Sequence, residues 1–220
     1  HFGRQCFKTQ TEIKRENVTC KLRKINFKMK TLAISTIILL LNLFLFNCAP
    51  KTSEQYCKRA SSYRLRSKDI NMSDSLLKIA VKLDSNNHLA YCLLGENVSW
   101  DTSKMELKRK YYLKAIFIDS TKTNYYVFYG QTYHWQAIER NEDRSVKSIN
   151  YTYLNKAIDI FSKGISIDST NNNLYSQRAY CYSIIGNTIL AEQDMFNAAR
   201  HGDKQMQKRI KREYPNKASR

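Results

Sequence analysis

Small and large apolar residues recur in phase along most of this chain. Ala157, Phe161 and Gly164, spaced as neighbours on one face of a helix, return as Ala191, Met195 and Ala198, each 34 positions later. Towards the N-terminus, Tyr91, Ala115, Asp119 and Ser120 map onto Tyr126, Gly164, Asp168 and Ser169 with offsets of 35 or 49, the second being one period plus an insertion of 15. Asp84-Ser85 extends the pattern back to a helix containing Leu76, Leu77 and Ala80. Such a period predicts stacked helical hairpins, none of which buries its apolar face alone, so that three or more must pack together. Asp-Ser stretches with Asn86, Asn87, Asn171 and Asn172 nearby stop one helix and cap the next.

A 34-residue helix-turn-helix period with this small/large code resembles the tetratricopeptide repeat over residues 54–203. In the last unit Tyr175, Ala179 and Tyr182 stand at the first-helix positions of that family, and Ala191, Met195 and Ala198 at the second-helix positions. One unit earlier, Tyr126, Gly130 and Tyr133 pair with Ala157, Phe161 and Gly164; before that, Tyr91, Leu94, Gly95 and Val98 pair with Tyr112 and Ala115; and Tyr56, Ala60 and Tyr63 pair with Leu77 and Ala80. Two helices cross closely only where one presents Gly or Ala, and large neighbours fill the flanking grooves. Ser85, Ser120 and Ser169 stand where the family usually has Pro. The expectation is an all-α, right-handed α-solenoid of about four repeats. A polar insertion at 139–153 reads as a solvated or partner-contacting loop. Beyond the repeats, residues 204–220 form a basic tail in which Met206, Ile210 and Tyr214 make a narrow apolar stripe, as expected of a capping helix that Pro215 ends.

Composition agrees with an all-helical chain: 220 residues hold 6 Gly and 2 Pro, with 42% apolar and 25% charged residues. The net charge of +18 is concentrated at the ends, with nine Lys/Arg against Glu12 and Glu16 in residues 1–47 and eight against Asp203 and Glu213 in residues 200–220. The two ends account for +7 and +6, leaving +5 for the middle, and nucleic acid is not the expected partner. Six scattered Cys make neither a disulfide framework nor a zinc site; Cys57, Cys92 and Cys181 read as small buried thiols.

From Met29 a basic start leads into an apolar run, Leu32 to Phe46, in the layout of a secretory signal. Leu45-Phe46-Asn47-Cys48 resembles the lipobox of bacterial lipoproteins, with Asn47 where that family usually has Gly, Ala or Ser. The resemblance implies a signal peptide at 29–47, a lipidated Cys48 and a linker over 48–53, with residues 1–28 an extension outside the native chain. An uncleaved signal anchor is the other reading of the run, and either places the repeats in the cell envelope, on the extracytoplasmic side of a bacterial membrane.

No HExxH, GxSxG, Cys-His spacing or glycine-rich phosphate loop occurs, and His88, His134 and His201 stand far apart, so no enzyme activity and no cofactor or metal is expected. In the resembling family the first helices line a concave face. In register, its outward residues are Cys92, Glu96, Ser99 and Trp100; then Val127, Gln131, His134 and Trp135; then Ser176, Tyr180, Ser183 and Ile184. Both Trp of the chain fall on equivalent positions, either as anchors for a protein or peptide partner or as core packing. The function expected is a membrane-tethered scaffold. The alternative is an anionic-surface or nucleic-acid binder acting through Lys204, Lys208, Arg209, Lys211 and Arg212.

Overall fold

The computed structural model describes residues 52–215, so the signal-like run and Cys48 lie outside the described residues. Helices α1 (Ser53–Ser62) and α2 (Ile70–Leu83) form the first hairpin, α3 (His88–Asn97) and α4 (Met105–Ile118) the second. The third is α5 (Thr123–Ala137) with α6 (Tyr151–Ile167), the fourth α7 (Asn172–Ile184) with α8 (Thr188–Arg200), and α9 (Lys204–Glu213) follows. The architecture is all-α and of the tetratricopeptide type. Among the described residues no helix is long and apolar enough to cross a membrane.

Side-chain caps set the helix boundaries. Asp84, Asp119 and Asp168 end α2, α4 and α6 in extended conformation, and their carboxylates accept from the backbone N–H of Asn86, Thr121 and Thr170 at 2.9, 3.0 and 2.9 Å. Asn87 and Asn171 then cap α3 and α7. The same two side chains reach back one unit: Asn87 donates to Ser53 Oγ at 2.6 Å and Asn171 to Thr123 Oγ1 at 2.9 Å. Each Asn therefore satisfies a free helix-end N–H and latches two hairpins together.

The small/large code works as van der Waals contact. A Cβ on Gly95 would lie 2.6 Å from the Tyr112 ring, one on Gly130 2.3 Å from the Phe161 ring, and one on Gly164 2.8 Å from Leu174. Tyr112 and Phe161 are buried in the gaps those glycines leave. Cys57, Cys92 and Cys181 are buried thiols, and burial pushes them up to about 11, 12 and 12 respectively. In α9, Ile210 is buried and Tyr214 meets the Phe196 ring of α8, so the apolar stripe closes the end of the stack.

The insertion differs from the expected loop reaching to Tyr153: α6 begins at Tyr151, and β1 (Ile138–Arg140) pairs antiparallel with β2 (Val146–Ile149). Ile138 opposite Ile149 packs on the core at the ribbon's base, where Asn150 N–H donates to Ala137 C=O at 2.7 Å. Glu139 further out is held by Lys147 and Ser148 from the facing strand.

Candidate interaction groove

The C-terminal half of α5, the ribbon, the exposed side of α7 and the start of α9 enclose a groove of about 990 Å³. Its walls are aromatic and amide in character: His134, Trp135 and Gln136 from α5, and Asn173, Gln177 and Tyr180 from α7. Asn173, Gln177 and Tyr180 share one face of α7 by their helical spacing. His134 stands edge-on to Tyr180, with ring centroids 5.0 Å apart and planes at 82°, and so joins the two walls. Its Nε2 is buried and has no hydrogen-bond partner among the described residues. Burial, with the charge of Arg140 adding to it, holds His134 below its ordinary value of 6.5, so the ring is neutral at pH 7. At the floor Ser176 donates to Asp203, whose other carboxylate oxygen caps α9 through Gln205 and Met206 N–H.

At one end of the groove Trp135 meets Trp100, ring centroids 5.5 Å apart and planes inclined at 54°. Both indoles keep open surface, 42% for Trp100 and 54% for Trp135. Trp100 is not on α3, as its register position suggested, because α3 ends at Asn97, whose amide donates to Ser73 and Asp74 of α2. Ser99 and Trp100 instead occupy the connection to α4, and Ser99 is exposed. Lys108 of α4 lies beneath the Trp100 ring, its Nζ 4.5 Å from the centroid.

Other register positions divide. Cys92 and Val127 are buried, packed in the Tyr112 and Phe161 clusters respectively, and do not face a groove. The first helix of the following unit closes over each of them. Ser176 is buried beneath Asp203, and Ile184 packs against the core. Glu96 is engaged by Arg64, from the five-residue π turn Tyr63–Ser67 that prolongs α1. Gln131 is half-buried, whereas Ser183 is exposed, its hydroxyl donating to Ala179 C=O at 3.0 Å. On α9, Lys204, Lys208, Lys211 and Arg212 are exposed, and Arg209 and Arg212 both pair with Glu213. Asn173, Gln177, Gln136 and the ribbon residues Glu139, Arg140 and Ser148 escaped the register reading. The i, i+4, i+7 stripe on α7 would have found the first two; the ribbon offered no such signal.

Among the described residues no three His, Cys, Asp or Glu side chains converge in a metal-binding group. No family model and no curated protein matches the sequence. Solved structures do match. The crystal structure of MamA aligns with TM-score 0.56 at 20% identity, over 73% of this chain and 84% of that one. TTC0263, a thermophilic TPR protein of Thermus thermophilus, aligns with TM-score 0.56 at 13% identity, over 71% and 78%. YrrB, described as a TPR protein with an unusual peptide-binding site, aligns with TM-score 0.52 at 13% identity, over 70% and 71%. At these identities the likeness establishes the fold.

Proposed function

From a tetratricopeptide-type solenoid with an aromatic and amide-lined groove, we propose a scaffold that binds an extended segment of a protein partner along α5 and α7. The half-exposed Trp135 of the groove wall, with the Trp100 indole packed beside it, carries this reading. Aromatic surface left open in a concave site is the form of an interface anchor, and Asn173 and Gln177 supply donors and acceptors for a peptide backbone. The peptide-binding site ascribed to YrrB, a protein of the same architecture, supports this use of the fold. A photo-crosslinker placed at Gln177 should capture one partner sequence in cells, and Trp100→Glu with Trp135→Glu should abolish that crosslink without changing the helical CD spectrum. Undiminished capture by the double variant would remove the groove from the interface.

We extend the proposal to location: Cys48, lipidated, tethers the scaffold at the extracytoplasmic face of a membrane. Cys48→Ala should move the protein from the membrane to the soluble fraction. A second reading, contact with an anionic surface through α9, is favoured by the exposure of Lys204, Lys208 and Lys211. It requires binding that falls steeply with salt, whereas groove binding to one peptide does not.

A further inference from the structure

Lys108 is fully buried, at 0% exposure, on the inward stripe of α4 together with Met105, Tyr112 and Ala115. A lysine there needs partners, and it has them at one place. Its Nζ donates to Gly95 C=O and Val98 C=O, both at 2.7 Å, which are carbonyls at the end of α3. A cation at the C-terminus of a helix answers both the free carbonyls and the helix dipole. The same ammonium stands 4.5 Å from the Trp100 centroid and 5.7 Å from that of Tyr112. Gly95 thus serves twice: its missing Cβ admits the Tyr112 ring, and its carbonyl receives the ammonium one turn earlier on α4.

We propose that Lys108 is the positioning residue of the interaction groove: its buried ammonium fixes the Val98–Asp101 connection and holds the Trp100 indole against Trp135, and loss of that charge loosens the pair. The inference rests on the groove reading and adds its regulation. Three contacts depend on the charge at once. The two carbonyl bonds are charge-assisted, and the ring contact is a cation–π contact that a neutral amine does not make.

The surrounding groups set where the charge is lost. Desolvation acts first and pulls Lys108 from 10.5 down to about 8. Glu96 on α3 opposes that shift and Arg64 from the π turn after α1 reinforces it, while the neighbouring Cys92 thiol of α3, pushed up to about 12, carries no charge in this range. Glu96 is itself ion-paired to Arg64, so the acid next to Lys108 is already engaged. A groove built this way is formed at neutral pH and loosens under mildly alkaline conditions.

Two indoles in contact give an exciton couplet in the far-ultraviolet CD, which reads the Trp100–Trp135 geometry in the free protein without any partner. Wild-type protein should lose the couplet in a one-proton transition with its midpoint at about 8. The scan stops below the ordinary tyrosine range of about 10. Lys108→Arg, which keeps its charge throughout, should hold the couplet across the scan, and Lys108→Met should lack it at neutral pH. Trp135→Phe, which removes one partner, should abolish it at every pH and so assigns the signal. A couplet that stays flat in wild type, or that titrates alike in wild type and Lys108→Arg, overturns the proposal. If Lys108→Met fails to fold, the comparison of wild type with Lys108→Arg still decides. Failure of partner capture by the groove would leave this optical result standing, and failure here would leave the capture result standing.

Discussion

A single missing methyl group decides how closely two helices of this solenoid approach. The Cβ that Ala would place at Gly130 falls 2.3 Å from Phe161 Cε1, in a core where Phe161 has no free surface to move into. Gly130→Ala should therefore cost about 1–3 kcal/mol in urea unfolding, the usual penalty of overpacking. At Gly186 the space is open but φ is +81°, so Ala there should cost about 1 kcal/mol through backbone strain alone. A Gly130→Ala variant as stable as wild type would show that the hairpin crossing can widen freely. His134 makes a prediction about pH. Its folded-state value lies below the ordinary 6.5 because burial disfavours the cation, so below that pH the unfolded chain binds the extra proton and the folded chain does not. Stability contributed by neutral His134 is thus present above 6.5 and lost as the pH falls below it. Chemical denaturation between about pH 7 and 5 should show wild type losing more stability than His134→Phe, which keeps a ring against Tyr180.

At the scale of the element, buried charge does what apolar contact cannot, which is to set the rotation of one helix against the next. Arg109 of α4 donates to Thr132 Oγ1 and Thr132 C=O of α5, each at 3.2 Å, while its guanidinium lies 4.0 Å from the Tyr133 centroid. Arg178 of α7 grips Asp194 of α8 through two bonds of 2.7 and 2.8 Å, and also donates to Ser162 of α6 at 2.8 Å. Asp194→Ala would strand a guanidinium that is largely buried, and we expect a loss of about 3–5 kcal/mol in thermal or urea unfolding. Arg178→Met combined with Asp194→Leu should recover most of that loss, since an apolar pair of similar volume carries no desolvation cost. Equal destabilisation by the single and double changes would mean that specific hydrogen bonds, and not charge compensation, hold α7 on α8. The pair was not legible from the repeat pattern, because the register assigns small and large apolar positions and is silent on which polar residue turns inward. Met105, Lys108, Arg109, Tyr112 and Ala115 do show helical spacing, so the inward stripe of α4 could have been read through its charges.

For the whole molecule, stability accumulates between neighbouring hairpins, and the ends are where a repeat stack is exposed. Helix α9 covers the last apolar face with Ile210 and Tyr214, and its cap Asp203 also receives the Ser176 hydroxyl from α7. Truncation after Gly202 should lower the melting temperature by about 2–8 °C, the shift expected for a loss of about 1–2 kcal/mol in a domain of this size. It should also expose the α8 surface and promote self-association, which sedimentation would detect. An unchanged melting temperature and a monomeric truncated chain would assign α9 to contacts outside the solenoid. The same truncation removes part of the groove wall contributed by Gln205 and Met206, so partner capture should weaken with it.

The repeating positions of Gly, Ala and bulky residues determined the number of hairpins, their helices and the pairs Gly95–Tyr112 and Gly130–Phe161, because close helix crossing needs a small residue opposite a large one wherever it occurs. The Asp and Asn turns were equally legible, being local hydrogen bonding between residues two or three apart. Which register positions stay open was decided only by the stack. Cys92 and Val127 lie at outward positions of an isolated helix, yet the next unit covers them; Trp100 keeps open surface because α3 ends early and Lys108 holds the indole beside the groove. The ribbon wall also depends on context, since two short strands gain stability only from the core beneath Ile138 and Ile149. Periodicity reports on contacts within one helical hairpin, whereas a groove is made of surfaces from several hairpins, whose relative placement rests on buried side chains far apart in the chain.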